Sequence, residues 1–217
     1  IYIEQDVKTI FFECTFSNCK ANNHSGAAMV MKFEKFKGFD PDCEMSISTL
    51  IQYSCVQDCY CGEKGYGMAY FISSNDVQLY YASTSLSTYR TDCKSRGAQI
   101  ELKSITLKVN NVNVSGGYAR YTGGIEIRKI QSPNIEFCTL TSIRSYYTFV
   151  FNFNISVSSG ISYCNLFNNT LYDYKASLIF VYRDITISNF CFCKNNLSIN
   201  GCISKRCELD YYSNPIQ

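Results

Sequence analysis

The sequence predicts an all-β protein, a right-handed parallel β-helix (a solenoid) of about eight coils of about 26 residues each. Three observations lead to this prediction. The composition favours strands and turns, apolar residues recur with a period of two, and a cysteine-marked segment recurs at a nearly constant interval in the second half of the chain. We expect one continuous β-helix segment over residues 1–217, interrupted by an irregular loop near residues 34–46.

The composition is that of a folded chain that is rich in strands. Hydrophobic residues make up 46% of the 217 residues, and 18 Tyr and 15 Phe accompany many Ile, Val, Ser, Thr and Asn. Aromatic and β-branched residues favour strands over helices. The 20 basic and 18 acidic residues nearly balance and form no basic stripe, so no nucleic-acid partner is expected. No apolar run approaches the roughly 18 residues of a membrane helix.

The period-two alternation is clearest between residues 147 and 157. One side of this predicted strand carries Tyr147, Phe149, Phe151, Phe153, Ile155 and Val157. Successive side chains of a strand point to opposite sides, so a single buried face explains the run. Shorter alternations occur at residues 100–102, 105–109, 125–127 and 185–187.

A repeated segment sets the length of the predicted coil. The stretches FFECTFSN, IEFCTLTS, ISYCNLFN and NFCFCKN share an aromatic residue, a Cys, an apolar residue and Asn or Ser. The marker positions 111, 138, 164 and 191 are almost evenly spaced, whereas the wider gaps after positions 14 and 55 leave room for VQLYYAS as a weak intermediate strand. Because equivalent residues of stacked coils lie about 4.8 Å apart, we expect the markers to form an internal ladder: Cys14, Cys55, Asn111, Cys138, Cys164 and Cys191.

The 13 cysteines admit three interpretations. Cys138, Cys164 and Cys191 are expected to be small core residues of the ladder. Disulfides are expected among the others, with the candidate local pairs Cys14/Cys19, Cys55/Cys59 and Cys202/Cys207. A zinc site is the least favoured interpretation, because no Cys-x2-Cys pair occurs and His24 is the single histidine. No cofactor or metal is predicted.

Sequons and cysteines together indicate a secreted or cell-surface protein. The N-glycosylation candidates are Asn23, Asn113, Asn154, Asn168 and Asn196. The chain begins at Ile1, inside a strand-like run, so we expect a segment of a longer chain.

The pattern F-x-C-x-F-x-N-C at residues 12–19, followed by G-A-A or G-G-I elements, resembles protist (trichomonad-like) cell-surface β-helix proteins of the polymorphic outer membrane protein type. TGGI at residues 122–125 is the nearest match, and SGAAM and YGMAY are degenerate forms. The resemblance implies a β-helix that is displayed at the cell surface and acts in adhesion, and it implies no catalytic residues.

No constellation of catalytic residues is predicted. His24 lies in a turn, and the acidic cluster Asp40, Asp42 and Glu44 lies in the irregular loop. Glycosidases need two carboxylates on one face, which this cluster does not supply on a regular strand. The pairs Tyr80-Tyr81, Tyr146-Tyr147 and Tyr211-Tyr212 are each expected to send one ring to each side of a strand, where the outward ring stacks across coils or meets a ligand.

The predicted function is therefore non-enzymatic adhesion or structural display. The predicted partner is a protein or glycan surface ligand, or neighbouring copies of the same protein. Two alternatives remain open: a structural subunit stacked into a filament or flagellar appendage, and a carbohydrate-active enzyme such as a polysaccharide lyase or glycosidase.

Overall fold

The structure is a computed structural model of the chain. It describes residues 1–3, 8–21, 27–32, 48–61, 69–74, 76–86, 98–104, 106–119, 122–130, 132–145, 151–155, 159–172, 179–181, 185–195 and 207–211. This part of the chain is all-β and contains no helix, and its sheets are parallel and stack as a β-solenoid. The irregular loop expected near residues 34–46 lies outside the described residues.

Each coil contributes strands to three successive faces. Face 1 contains Tyr2–Ile3, Met29–Lys32, Tyr70–Ser73, Ile100–Lys103, Ile125–Ile130, Phe151–Ile155 and Ile179–Val181. Face 2 contains Thr9–Phe12, Ser48–Gln52, Asp76–Tyr80, Thr106–Asn110, Ser132–Glu136, Ser159–Ser162, the first half of Ile185–Cys193, and Cys207–Tyr211. Face 3 contains Thr15–Ser17, Cys55–Gln57, Ser83–Leu86, Asn113–Gly116, Thr139–Thr141, Asn165–Phe167 and the end of Ile185–Cys193.

Short strands follow face 3 in several coils. Lys20–Ala21 pairs with Tyr60–Cys61, and Tyr118–Ala119, Arg144–Ser145 and Thr170–Leu171 form a three-stranded sheet. The strand Asp76–Tyr80, which the sequence predicts within VQLYYAS, is confirmed because it pairs in parallel with both of its neighbours on face 2.

The prediction of about eight coils of this length is wrong, since about four turns have the regular length. Asn113, Thr139, Asn165 and Cys191 occupy equivalent, evenly spaced positions on successive coils of face 3. The earlier steps on this face are longer, from Thr15 to Cys55, from Cys55 to Ser83 and from Ser83 to Asn113. The extra length lies in the connections between faces, such as the one between Met29–Lys32 and Ser48–Gln52.

The core runs along the axis as columns of apolar side chains from the three faces. Face 1 contributes fully buried pairs such as Ile100 and Leu102 or Ile125 and Ile127. On face 2 the burial follows the predicted alternation, as in Thr106–Asn110, because every second residue of a strand points inward. On face 1 outward residues such as Phe71 and Glu101 are buried as well. Gln99, which is also fully buried, accepts a hydrogen bond from Thr84 Oγ1 at 2.9 Å and donates one to the carbonyl of Gly116 at 2.6 Å, so it bridges two sides of the interior.

Two columns of residues with positive φ turn the chain at its corners. The corner between faces 2 and 3 uses Glu13, Tyr53, Tyr81, Asn111, Phe137, Tyr163 and Asn189. The corner after face 3 uses Asn18, Asp58, Ser142, Asn168 and Lys194. All of these residues have φ between 50° and 55°, a left-handed conformation that costs most residues about 1–3 kcal/mol and therefore persists only where the surrounding structure holds it.

Candidate functional site

An exposed column of aromatic rings follows the corner between faces 2 and 3, and we call it the aromatic column. It consists of Tyr53, Tyr81, Phe137 and Tyr163, each about half exposed. The rings of Tyr53 and Tyr81 stack at 5.0 Å with an interplanar angle of 14°, and those of Phe137 and Tyr163 stack at 5.0 Å and 11°. Phe12 adds an edge-to-face contact with Tyr53 at 5.5 Å. Asn111 holds the corner position between the two stacked pairs.

The backbone explains why these rings point outward. Each corner residue has a left-handed conformation, and its N–H donates to a carbonyl of the next coil, as Tyr53 does to Tyr80 at 3.2 Å. This conformation breaks the strict alternation of the strand. Tyr80 and Tyr81 therefore both lie on the outer side, with intermediate and high exposure, which corrects the expectation of one ring on each side. Tyr146, Tyr147 and Tyr212 lie outside the described residues.

The outward positions of face 3, next to the aromatic column, carry no formal charge among the described residues. They are Thr15, Ser17, Cys55, Gln57, Ser83, Ser85, Asn113, Ser115, Thr139, Thr141, Asn165 and Phe167. Hydroxyl and amide groups therefore predominate on the outer side of this parallel sheet, beside the exposed rings. Such a surface offers repeated hydrogen-bonding and apolar contacts without acid–base chemistry.

The structure splits the predicted cysteine ladder. Cys14, Cys138 and Cys164 directly follow a corner residue and share one column, and Cys138 and Cys164 are neighbours on successive coils with no exposure. Cys55 and Cys191 lie one residue later, in register with Thr15 and Asn165, and Asn111 lies one residue earlier, at the corner. The prediction is therefore corrected for these three positions, because the shared sequence pattern does not fix the distance from Cys to the corner residue.

The described cysteine side chains are free thiols: Cys14, Cys19, Cys55, Cys59, Cys138, Cys164 and Cys191. The local pairs Cys14/Cys19 and Cys55/Cys59 do not form. The two members of each pair lie at opposite ends of one extended strand, so their Cα atoms are roughly 10 Å or more apart. A disulfide needs Cα atoms within about 7 Å. The third pair includes Cys202, which lies outside the described residues.

Thiols on successive coils do meet. The backbone N–H of Cys19 donates to Sγ of Cys59 at 3.2 Å, and burial raises the pKa of Cys59 to about 11. The hydrogen bond with the Cys164 thiol, followed by burial, raises the pKa of Cys138 well above its usual value. These thiols are poor nucleophiles, because the thiolate is the reactive form.

An internal asparagine column at the corner after face 3 was not predicted from the sequence. The side-chain oxygen of Asn169 accepts from the backbone N–H of Ile143 at 3.0 Å, and its amide donates to the Leu140 carbonyl at 3.0 Å. Asn195 repeats this arrangement one coil later, accepting from the Asn169 N–H at 2.9 Å and donating to Leu166 at 2.8 Å. The recurrence of Asn at positions 169 and 195, 26 residues apart, is the sequence signal that could have indicated it.

A buried acidic pair on the outer side of face 1 was also missed. Glu101 and Glu126 are register partners on neighbouring strands, with exposures of 0% and 6%. Arg128 forms an ion pair with Glu126, with Nη2 2.5 Å from Oε1, and its Nε lies 3.7 Å from Oε1 of Glu101. Lys103 Nζ lies 3.3 Å from the same oxygen of Glu101. The near-repeat of IELK at positions 100–103 as IEIR at positions 125–128 could have indicated the pair.

The electrostatics of the acidic pair are those of a structural ion-pair cluster. Burial raises the pKa of Glu101, Lys103 opposes the shift and Glu126 adds to it. Oε1 of Glu101 has the ion pairs with Lys103 and Arg128, whereas Oε2 has no hydrogen-bond partner in the part of the chain that the structure describes. Lys103 also lies 4.7 Å from the centre of the Phe71 ring. Two neighbouring carboxylates can act as acid and base where a substrate reaches them, but Glu101 and Glu126 are both shielded from solvent.

The sequons lie at exposed positions, in a strand of face 1 and outside the described residues. Asn113 and Asn168 are exposed, and Asn168 donates to Ser142 Oγ at 3.2 Å. Asn154 lies in the strand Phe151–Ile155 on face 1. Asn23 and Asn196 lie outside the described residues, as do His24 and the acidic cluster Asp40, Asp42 and Glu44.

Within the described ranges, no group of three or more His, Cys, Asp or Glu side chains is arranged to hold a metal ion. No helix there is long and apolar enough to span a membrane. No protein-family model matches the chain, and no curated protein or solved structure shows significant similarity to it.

Proposed function

We propose that the chain is a non-enzymatic solenoid that acts in adhesion or structural display, at the cell surface or as part of a secreted protein. The observation that carries the proposal is the aromatic column. Large rings that are about half exposed are costly to leave in water, and exposed aromatic clusters are enriched at sites of protein and glycan recognition. The resemblance to protist surface β-helix proteins supports the same function.

The handedness of the solenoid is a second part of the proposal. We infer a right-handed solenoid, because crossover connections between parallel strands of one sheet are right-handed in about 98% of cases. A crystal structure with left-handed crossovers would overturn this inference.

The acidic pair favours binding or structure over catalysis. A glycosidase needs its carboxylates to reach a sugar ring, whereas Glu101 is fully buried and Arg128 holds Glu126. The carbohydrate-active alternative predicts polyuronide cleavage that Glu101→Gln abolishes. The same assay with Asp42→Asn tests the loop residue.

The location is tested on cells that make the protein. Surface biotinylation of intact cells should label it, and mass spectrometry should find glycans on Asn113 and Asn168. Thirteen reduced thiols and no glycan in the native protein would contradict an extracellular location.

Adhesion is tested with purified protein coupled to beads. The beads should bind cells or matrix from the same source, and the double variant Tyr53→Ser/Tyr163→Ser should reduce binding at least several-fold. The matched control is Thr139→Ala/Asn165→Ala on face 3, which leaves the rings in place. Equal binding by all three proteins would remove the aromatic column from the adhesive surface, and no binding by any of them would overturn the adhesive function.

A further inference from the structure

The aromatic column is interrupted at one position. Tyr81, Asn111 and Phe137 are corner residues on three successive coils: the Tyr81 N–H donates to the Asn110 carbonyl at 3.1 Å, and the Asn111 N–H donates to that of Glu136 at 3.2 Å. Tyr81 stacks on Tyr53, before the interruption, and Phe137 stacks on Tyr163, after it. One face of each inner ring is therefore directed towards the Asn111 position, and no described ring lies between them.

The interruption is wide enough for one planar group. Two coil steps of about 4.8 Å separate Tyr81 from Phe137, or about 9.6 Å in all. A flat group in van der Waals contact needs about 3.5–4.0 Å on each side. The stacked rings elsewhere in the column are 5.0 Å apart, so a planar group halfway between Tyr81 and Phe137 would lie at nearly the same distance from each ring. It would continue the stack without displacing the rings.

The polar side chains at the interruption supply a negative charge. The side-chain amide of Asn111 donates to the side-chain oxygen of Asn110, the last residue of its face 2 strand. This hydrogen bond turns the Asn111 side chain towards face 2. Asn110 in turn donates to Oε2 of Glu136 at 3.4 Å. Glu136 is partly exposed and has no ion-pair partner among the described residues. The carboxylate of Glu136 therefore lies next to Asn110, on the residue that precedes Phe137 in the chain.

We propose that the Asn111 position binds the guanidinium group of an arginine side chain of a partner protein, between the rings of Tyr81 and Phe137. Guanidinium is planar, stacks on aromatic faces and pairs with carboxylates through two parallel hydrogen bonds, here to Glu136. A lysine ammonium lacks the plane, and a neutral ring lacks the charge. The inference rests on the proposed adhesive function and specifies the chemistry of its partner.

The test uses the purified chain and two probes, N-acetyl-arginine amide and N-acetyl-lysine amide, titrated at millimolar concentrations and followed by NMR. We expect saturable binding of the arginine probe at least tenfold tighter than that of the lysine probe. Asn111→Tyr supplies the missing ring and should weaken arginine binding at least tenfold. Glu136→Gln should weaken it several-fold and reduce its dependence on salt.

Two controls separate occupation of the site from loss of folding. Asn111→Gly keeps the gap and suits the left-handed backbone, so it should bind within about threefold of wild type. Asn189→Tyr adds a ring at another corner position and should leave arginine binding unchanged. Equal affinity for both probes, or undiminished binding to folded Asn111→Tyr, would overturn the proposal. If bead adhesion persists in Asn111→Tyr but is lost in Tyr53→Ser/Tyr163→Ser, the adhesive function stands and the arginine site does not.

Discussion

The side chain of Asn169 takes the place of a backbone hydrogen-bonding partner for the coil before it, since its oxygen accepts from the N–H of Ile143 at 3.0 Å. Its amide donates to Leu140 at the same time, and the whole residue is buried. A buried N–H and a buried carbonyl of one coil are therefore satisfied by a side chain of the next. The asparagine side chains carry no charge, so burying them orders the corner without the large desolvation cost of a buried ion.

Removal of this amide should destabilise the chain. Asn169→Ala leaves the Ile143 N–H and the Leu140 carbonyl without these partners, and we expect the free energy of unfolding to fall by about 2–3 kcal/mol. Urea denaturation measures the change. Asn165→Ala, at an exposed position on face 3, is the control and should stay within about 0.5 kcal/mol. Similar losses in the free energy of unfolding for both variants would show that the hydrogen bonds of Asn169 add no stability beyond that of an exposed side chain.

The acidic pair should make stability depend on pH. Burial gives Glu101 a higher pKa in the folded state than its ordinary 4.5, so the folded chain holds this proton more tightly. The stabilisation from protonated Glu101 is complete below the unfolded pKa and is lost as the pH rises through the raised pKa. Glu101→Gln should therefore be more stable than wild type at pH 7 and should match it near pH 4.

Thermal unfolding of Glu101→Gln at several pH values measures this difference. Glu136→Gln, at the partly exposed end of the strand Ser132–Glu136, is the control and should change stability little. A Glu101→Gln variant that is less stable at pH 7 would mean that the contacts with Lys103 and Arg128 outweigh the cost of burial.

The glycines of two regular coils should respond in opposite ways to alanine. A Cβ on Gly123 would clash with the side chains of Ile143 and Ser145, whereas a Cβ on Gly160 meets nothing within 4 Å. We expect Gly123→Ala to lower the free energy of unfolding by about 2 kcal/mol, as overpacking does. Gly160→Ala should raise it by about 0.5 kcal/mol, because alanine loses less conformational freedom on folding. Urea titrations of both variants check the signs, and equal effects would rule out the close packing at Gly123.

The stacked rings of the aromatic column should stabilise each other. A double-mutant cycle with Tyr53→Ala and Tyr81→Ala should give a coupling energy of about 0.5–1.5 kcal/mol. Phe137→Ala combined with Tyr53→Ala is the uncoupled control, since Asn111 separates the two stacks. Strictly additive losses for Tyr53 and Tyr81 would mean that the stacking at 5.0 Å contributes no stability.

The sequence was sufficient to predict parallel stacking, because period-two runs such as residues 100–102 and 125–127 accompany a cysteine-marked segment that recurs at nearly constant spacing. It was insufficient to place Cys55 and Cys191, since the column that a residue joins depends on its distance from a left-handed corner residue. That conformation falls on Tyr, Phe, Glu, Asp, Ser and Lys as well as Asn, so no residue type marks it. Predicting that Glu101 pairs with Glu126 requires the register between coils, and that register follows once the alternating runs are aligned.

The direction of the hydrogen bonds gives the molecule a mechanical property. The bonds between coils run along the solenoid axis, so a pull along that axis loads one coil boundary at a time. Each regular coil would then unravel separately and lengthen by roughly 80–90 Å, the reach of its extended chain. A tether built in this way yields in steps and dissipates work before it detaches.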